Sequence, residues 1–191
     1  AGEANHAGST AMADRKDALV AAAGFINKVP EIVKEYGNEF TVATVGTIKV
    51  TPHSVNVIPG TCTFSLEIRD QSAEVMKLIE NHLRQLLEDI CKKYGVTSTF
   101  VPTSYHDPAP MSELVRGTIE EAVKELGIDY TVIPSGAFHD SLIMTSVFPT
   151  GMIFVPSKDG ISHSRYEYTA PEDIENGCNV LLNTVLKLDE K

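Results

Sequence analysis

The stretch FSLEIRDQSAEVMKLIENHLRQLLEDICKKYG, residues 64–95, contains two patterns that together indicate the fold class. In its first six residues apolar and polar side chains alternate, which is typical of a half-buried strand and places Arg69 on the polar face. From Ser72 to Tyr94 apolar side chains recur every three or four residues. This spacing predicts an amphipathic helix that is capped by Ser72 and ended by Gly95.

The segments on either side extend this pattern. Residues 14–29 are rich in helix-forming alanine, and Pro30 is expected to end or kink that helix. Residues 40–50 are mostly β-branched, and residues 96–102 predict a further strand. Helix, strands, helix and strand in this order predict an α+β domain over residues 1–107. Both of its helices are expected to cover one face of an antiparallel sheet.

Two bends are predicted within the strands of this domain. Gly46 interrupts the β-branched run, which favours a bulge or a bend at that position. The residues Ile58-Pro59-Gly60-Thr61 have proline and glycine at the second and third positions of a turn, as in a type II turn. A type II turn requires a positive φ angle at its third residue.

After the proline-rich connection over residues 105–110, the pattern changes to alternating helices and strands. Strands separated by helices are typical of a layered α/β sheet. With only two short strands, residues 108–191 are too few to close a core of their own, so we expect them to complete a sheet whose other strands lie outside this chain. The predicted elements are helices over residues 112–126, 138–146 and 173–188 and strands over residues 130–133 and 152–155.

Composition restricts the class of protein. The chain is 42% hydrophobic and 22% charged, with a mean hydropathy of −0.05, as in ordinary globular proteins. No apolar run approaches the roughly 20 residues that cross a bilayer. A net charge of −10 argues against a nucleic-acid partner. Three dispersed cysteines without a C-x-x-C pair indicate neither a disulfide framework nor a thiolate metal site. We therefore expect a cytoplasmic protein that binds neither nucleic acid nor membrane.

Four loop segments hold the polar residues best placed to form a site. Motifs for phosphate binding, nucleophilic serine and H-E-x-x-H zinc chemistry are absent from the sequence. Histidines in loops favour metal ligation or oxyanion stabilisation. A dinuclear site needs about five or six protein ligands, so the dispersed histidines would leave it incomplete. The segments are NHAGS (residues 5–9), VNVIPG (55–60), PSGAFHD (134–140) and GISHS (160–164).

Together these segments resemble the M20 metallopeptidase clan, in its branch of N-carbamoyl-L-amino-acid hydrolases, β-ureidopropionases and allantoate amidohydrolases. Essentially the whole chain is covered, and the four stretches occur in the family's order. The sequence departs from the family pattern at Ala11, Phe138 and Arg165, where Pro, Gly and Pro are usual. The matching stretches are GEANHAGSTAM (2–12) with RKDAL (15–19), NVIPG (56–60) with Arg69, SGA (135–137) with HD (139–140), and ISH (161–163) with Glu167.

The resemblance implies a two-part molecule. Residues 1–107 would be an α+β lid that also forms the dimer, and residues 108–191 the C-terminal part of an α/β zinc-peptidase-like catalytic domain. His163 would be a metal ligand, and His6 would be catalytic by polarising the scissile carbonyl. The substrate-binding residues would be His6, Asn56, Arg69, Gly136 and Ala137, with the lid residues able to serve the partner subunit's site.

The implied reaction is hydrolysis of a linear carbon–nitrogen amide bond, other than a peptide bond, in an N-carbamoyl (ureido) amino acid or an allantoate-like small molecule. The complete site would hold two divalent metal ions, such as zinc, manganese, cobalt or nickel. The other ligands and the glutamate that activates water would lie on a missing N-terminal catalytic segment. The chain starts at Ala1 without an initiator methionine. We therefore expect a fragment that is inactive alone and forms a homodimer through the lid.

Two alternatives stay open at this point. The chain as it stands could be a non-catalytic dimerisation or folding module. The parent enzyme could instead be an aminopeptidase or deacylase of the M20 clan. Turnover of dipeptides rather than of N-carbamoyl amino acids would indicate the aminopeptidase or deacylase alternative.

Overall fold

The computed structural model describes residues 1–190 and divides the chain into two compact units, Ala1–Pro108 and Ala109–Lys191. Within residues 1–190, no helix is both long enough and apolar enough to cross a membrane. Short 3₁₀ turns occur at Met12–Asp14 and Lys158–Gly160. The strands are β1 (Val42–Thr44), β2 (Ile48–Thr51), β3 (Thr61–Phe64) and β4 (Glu67–Arg69). The helices are α1 (Ala18–Tyr36), α2 (Ala73–Tyr94), α3 (Glu113–Glu125), α4 (Asp140–Met144) and α5 (Pro171–Asp189).

The four strands form two antiparallel pairs that follow each other along one hairpin. β1 pairs with β4, with Val42 opposite Arg69, and β2 pairs with β3. Between the two pairs, residues 45–47 lie opposite residues 65–66, so the first arm contains one extra residue. This agrees with the bulge predicted at Gly46.

The core of the first unit lies between this hairpin and helices α1 and α2. Phe64, Leu66 and Ile68, the apolar positions of the alternating stretch, pack against side chains of both helices. These three side chains are half-buried, so each contributes less than the roughly 1.5–3 kcal/mol of a fully buried one. Both helices therefore cover the face of the hairpin that the period-two pattern predicted. The buried centre consists of Phe25 and Val29 from α1 and Ile79 and Leu83 from α2.

Helix α1 is longer than predicted. It continues through Pro30 to Tyr36 and is capped by the Asp17 carboxylate. Of the two outcomes predicted for Pro30, an end or a kink, the end of the helix was therefore wrong. Ile32 and Tyr36 pack on the core after the proline, and the Tyr36 ring stacks on His82 with 3.6 Å between ring centroids. These tertiary contacts offset the roughly 3 kcal/mol that an internal proline costs a helix.

The strand predicted over residues 96–102 does not form. The backbone N–H of Thr97 donates to the carbonyl of Ala1 at 2.7 Å, but the pairing stops there. Further along, the Phe100 ring lies under the Arg84 guanidinium, 3.7 Å from ring centroid to guanidinium carbon. This contact holds the segment against α2.

The second unit is helical in the part of the chain that the structure describes. Helices α3 and α5 pack together through Thr118, Val180 and neighbouring buried residues. The strands predicted over residues 130–133 and 152–155 were wrong for these residues. Most of their side chains are exposed, with Val132 65% and Phe154 48% accessible, and only Met152 and Ile153 are half-buried. A strand needs a neighbour for its backbone hydrogen bonds, and no described residue supplies one.

Candidate functional site

The two motif segments of the first unit lie side by side, although His6 and Asn56 are 50 positions apart in the sequence. His6 forms an antiparallel bridge with Val57, and Ile58 anchors the pairing with a side chain only 2% exposed. Gly60 does not adopt a positive φ angle, so the predicted type II turn was wrong. The connecting hydrogen bonds are Gly2 N to Gly60 O (2.7 Å), Ile58 N to Asn5 O (2.8 Å) and Ala7 N to Asn56 O (2.9 Å).

The His6 imidazole is exposed and has one ring nitrogen engaged by the backbone. The Gly8 N–H donates to His6 Nδ1 at 3.1 Å. A nitrogen that accepts a hydrogen bond does not hold the proton, so neutral His6 is protonated at Nε2. A Cβ at position 8 would lie 3.1 Å from His6 Cε1 and 3.4 Å from Nδ1, so a side chain there would displace the imidazole by a few tenths of an ångström. His6 therefore presents an exposed ring with an N–H donor.

Asn56 lies beside this histidine segment and is also exposed. Its side-chain oxygen accepts a hydrogen bond from the Ser54 hydroxyl at 2.7 Å. Its amide nitrogen has no hydrogen-bond partner within residues 1–190. The local turn therefore orients the Asn56 amide while leaving a donor for a ligand.

Arg69 lies at the opposite end of the hairpin, in the last position of β4. Its Nη2 donates to Glu67 Oε1 at 2.7 Å, and both side chains are substantially exposed. Exposed ion pairs of this kind contribute about 0–1 kcal/mol, so a ligand carboxylate can compete for the guanidinium. The structure thus brings His6 and Asn56 together and places Arg69 separately.

The next residue, Asp70, fixes the end of this strand. Its carboxylate accepts hydrogen bonds from Ser72 N at 2.8 Å, from Asn38 Nδ2 at 3.3 Å and from the Thr41 hydroxyl. These contacts join the turn after α1 to the turn before α2 through the residue that follows Arg69. Sequence reasoning assigned no role to Asp70, because the partners come from separate segments.

In the second unit, Ser135 organises the loop that contains Gly136 and Ala137. Its hydroxyl oxygen accepts from the Ala137 N–H at 3.3 Å and lies 3.0 Å from His139 Nε2. His139 also meets the edge of the Phe154 ring at 5.6 Å between centroids. Gly136 and Ala137 are exposed, and a Cβ at Gly136 would meet nothing within 4 Å. The loop thus presents its backbone on an open surface.

His163 occupies an unusual backbone conformation. Its φ angle is +55°, in the left-handed region that few residues other than glycine adopt. The Glu167 carboxylate accepts from the His163 N–H at 3.0 Å, and the Glu167 N–H donates to Ser164 O at 3.0 Å. Such conformations persist where surrounding contacts determine them, and they are common at functional sites. The imidazole itself has no partner among the described residues.

A metal site needs several ligand side chains close together. An exposed imidazole such as that of His163 is a suitable ligand for a divalent ion. Within residues 1–190, however, no group of three or more His, Cys, Asp or Glu side chains is arranged to hold a metal. One imidazole does not hold a pair of ions, so the remaining ligands of such a site would have to come from outside the described residues.

One family model and several curated proteins match nearly the whole chain. The model of peptidase family M20/M25/M40 matches residues 1–187. An N-carbamoyl-L-amino acid amidohydrolase of Geobacillus stearothermophilus is 40% identical over 188 residues, covering 98% of this chain and 46% of that protein. An allantoate amidohydrolase of Bacillus subtilis (strain 168) is 35% identical over 187 residues, covering 98% and 45% respectively.

A solved structure matches the fold over the same extent. The crystal structure of AtUAH in complex with (S)-hydroxyglycine aligns with a TM-score of 0.92 and 35% sequence identity. The alignment covers 100% of this chain and 45% of that one. The chain therefore spans about half the length of the curated relatives that it matches.

Proposed function

The chain belongs to peptidase family M20/M25/M40, and on that premise we propose that it is part of a metal-dependent amidohydrolase. The family predicted from the four motif segments is confirmed, and the curated relatives are hydrolases of non-peptide carbon–nitrogen bonds. The proposed reaction is cleavage of a linear amide bond in an N-carbamoyl (ureido) amino acid or an allantoate-like molecule. The observation that carries the proposal is 40% identity to a carbamoyl amino acid amidohydrolase over 98% of the chain.

His6 is the proposed catalytic residue of this chain. Because Nδ1 accepts from Gly8, the proton lies on Nε2, which can donate to the oxygen of the scissile amide. The same hydrogen bond strengthens as negative charge develops on that oxygen in the transition state. A donor of this kind contributes about 2.7–4 kcal/mol to transition-state stabilisation.

Asn56 and Arg69 are the proposed substrate-binding residues of the first unit. The Asn56 amide nitrogen can donate to a carbonyl or ureido oxygen beside His6. The Arg69 guanidinium can exchange Glu67 for a substrate carboxylate and hold it with two parallel hydrogen bonds. Because the two lie at opposite ends of the hairpin, we propose that they act in an assembled homodimer, in which lid residues reach the partner subunit's site.

Gly136, Ala137 and His163 are the proposed contributions of the second unit. The exposed backbone at Gly136 and Ala137 would line the substrate pocket, and His163 would be one ligand of a two-metal site. Divalent ions such as zinc, manganese, cobalt or nickel supply a water of lowered pKa and polarise the amide carbonyl when bound. The remaining ligands would come from a catalytic segment outside this chain, so the 191-residue chain would be inactive alone.

The cysteines bear on the cellular location. The three cysteines are free thiols, which fits a reducing compartment, and we propose the cytoplasm as the location.

The hairpin has an open edge, and an open edge is commonly covered by a partner. Sedimentation at micromolar concentration should therefore give a dimer, and a monomer would contradict this part of the proposal.

Metal content is the first test. The chain, purified without chelator and then loaded with zinc or manganese, should retain well under one ion after desalting. About two tightly held ions per chain would show that the ligands have been assigned incorrectly.

Substrate class is the second test. The chain joined to the catalytic segment of its parent should hydrolyse N-carbamoyl amino acids or allantoate faster than dipeptides. Turnover of dipeptides alone would contradict the proposed substrate class. A matched His6→Ala variant of the same protein separates turnover at this site from contaminating activity.

A further inference from the structure

Arg15 occurs within the first motif, but neither the fold nor the proposed reaction gives it a role. Its half-buried guanidinium donates only to backbone carbonyls: Nη2 to Ala7 O at 2.5 Å, Nη2 to Thr10 O at 3.1 Å and Nε to Thr10 O at 3.2 Å. Arg15 forms no ion pair among the described residues. A buried or half-buried arginine usually pairs with a carboxylate. This one instead binds the loop that follows His6.

The carbonyl that Arg15 binds belongs to the same peptide unit as the N–H that binds His6. The Ala7 carbonyl and the Gly8 N–H are the two ends of one planar amide group. When Arg15 holds the oxygen of this amide, it fixes the plane and therefore the direction of the N–H. That N–H donates to His6 Nδ1 at 3.1 Å. The guanidinium and the imidazole are thus connected through a single peptide group.

Other hydrogen bonds of the loop hold the neighbouring His6–Ala7 and Thr10–Ala11 peptides. The N–H and the hydroxyl of Thr10 both donate to His6 O, at 3.2 Å and 2.9 Å, and Arg15 holds the Thr10 carbonyl. Hydrogen bonds in series polarise one another, so a cation on the carbonyl strengthens the donor at the other end of the amide. The absence of a Cβ at Gly8 allows this amide to approach the ring.

We propose that Arg15 is a positioning residue for His6: it orients the Ala7–Gly8 peptide so that its N–H occupies His6 Nδ1 and keeps the imidazole proton on Nε2. This inference rests on the proposed function of His6, because the Nε2–H form is the one that can donate to a substrate oxygen. It predicts that a substitution of Arg15 changes the tautomer of His6, although the guanidinium donates no hydrogen bond to His6.

The tautomer of His6 is the direct test, and it requires no enzyme activity. Long-range proton–nitrogen NMR of the 191-residue chain, at a pH where imidazoles are neutral, distinguishes Nδ1–H from Nε2–H. Wild type should show His6 almost entirely as Nε2–H. Arg15→Met should shift a measurable share of His6 to Nδ1–H. The matched control Lys16→Met removes one positive charge at the next position, where the ammonium contacts only the Glu3 carboxylate, and should leave His6 unchanged.

Three results would overturn the proposal. The first is a wild-type His6 that is mainly Nδ1–H. The second is an Arg15→Met chain that keeps the wild-type tautomer, and the third is an equal change in Lys16→Met. If Arg15→Met loses its dispersed spectrum, Arg15→Lys decides, because it keeps the charge with fewer and less rigid donors. Arg15→Lys should then show a partial shift toward Nδ1–H, and an unchanged tautomer would refute the role.

Kinetics of the active protein separate this role from the proposed function. Arg15→Lys should lower kcat by about 10- to 100-fold while KM changes less than about threefold, as expected for a misplaced catalytic group. A rise in KM with kcat unchanged would contradict positioning of His6. If wild type has no amidohydrolase activity, the proposed function fails, while the tautomer measurement still decides what Arg15 does.

Discussion

Substitution of Gly2 by alanine should detach the segment that contains His6. A Cβ at Gly2 would lie 1.9 Å from the carbonyl oxygen of Lys16, whereas real Cβ atoms essentially never approach another atom within 3.0 Å. The obstructing atom is backbone, so it cannot swing away as a flexible side chain could. The N-terminal segment must move by about 1 Å or more to relieve the clash.

The cost follows from the hydrogen bonds that this movement breaks. Gly2 N donates to Gly60 O at 2.7 Å, and Glu3 N donates to Lys16 O at 2.8 Å. Each such bond contributes about 0.5–1.5 kcal/mol, so Gly2→Ala should lower the free energy of unfolding of the first unit by about 1–3 kcal/mol. A unit of this size should lose about 4–8 °C in Tm for each kcal/mol.

Gly117→Ala is the matched control. Gly117 lies within α3, and a Cβ there would meet nothing within 4 Å. Alanine in a helix interior is favoured over glycine by about 0.5–1 kcal/mol, so the same substitution should stabilise the second unit. Amide hydrogen exchange measures the protection of individual amides, so it reports the stability of each unit separately. In Gly2→Ala the amides of Ala7 and Ile58 should lose protection, and unchanged protection of both would refute the close approach at Gly2.

Three further predictions concern the core, acid stability and substrate binding. Leu83→Ala should destabilise the first unit by about 2–5 kcal/mol in a urea titration, and a loss below about 1 kcal/mol would contradict its position in the core. Hydrogen bonds and charge from Lys77 and Arg84 hold the pKa of Glu80 below its ordinary value. Wild type should therefore be more stable than Glu80→Gln at pH 7 by under about 1 kcal/mol, and this advantage should fade as pH falls below about 4.3 through the lowered pKa. An advantage that persists at pH 2 would count against this reasoning. Arg69→Lys should raise KM for a carboxylate substrate by about 10- to 100-fold with kcat largely retained, because one of two charge-assisted hydrogen bonds is lost. Equal KM values in steady-state assays would exclude Arg69 from carboxylate binding.

The elements that were predicted correctly are those with local causes. Helix α2 begins after Ser72, whose hydroxyl accepts from the Val75 N–H, and ends at Gly95 in the left-handed conformation. The strand over residues 64–69 and the irregularity near Gly46 were also predicted from neighbouring residues. These patterns depend on side chains a few positions apart, so they are visible without the fold.

The secondary-structure predictions failed where the outcome depended on distant contacts that the local sequence does not show. Pro30 lies inside α1 because Tyr36 stacks on His82 from another helix. The segment over residues 152–155 is apolar enough for a strand, but no described residue pairs with its backbone. A strand is stabilised by its neighbours, and its sequence alone does not show whether those neighbours are present.

The amino-acid sequence by itself determined helix α2, the strands of the hairpin, the family and the order of the motif residues. Only the tertiary structure decided that the segment containing His6 pairs with the segment containing Asn56, and that Arg15 is connected to His6 through one peptide group. The physical reason is distance along the chain. Periodicity and capping act over a few residues, whereas these contacts form only after the fold brings separate segments within hydrogen-bonding distance.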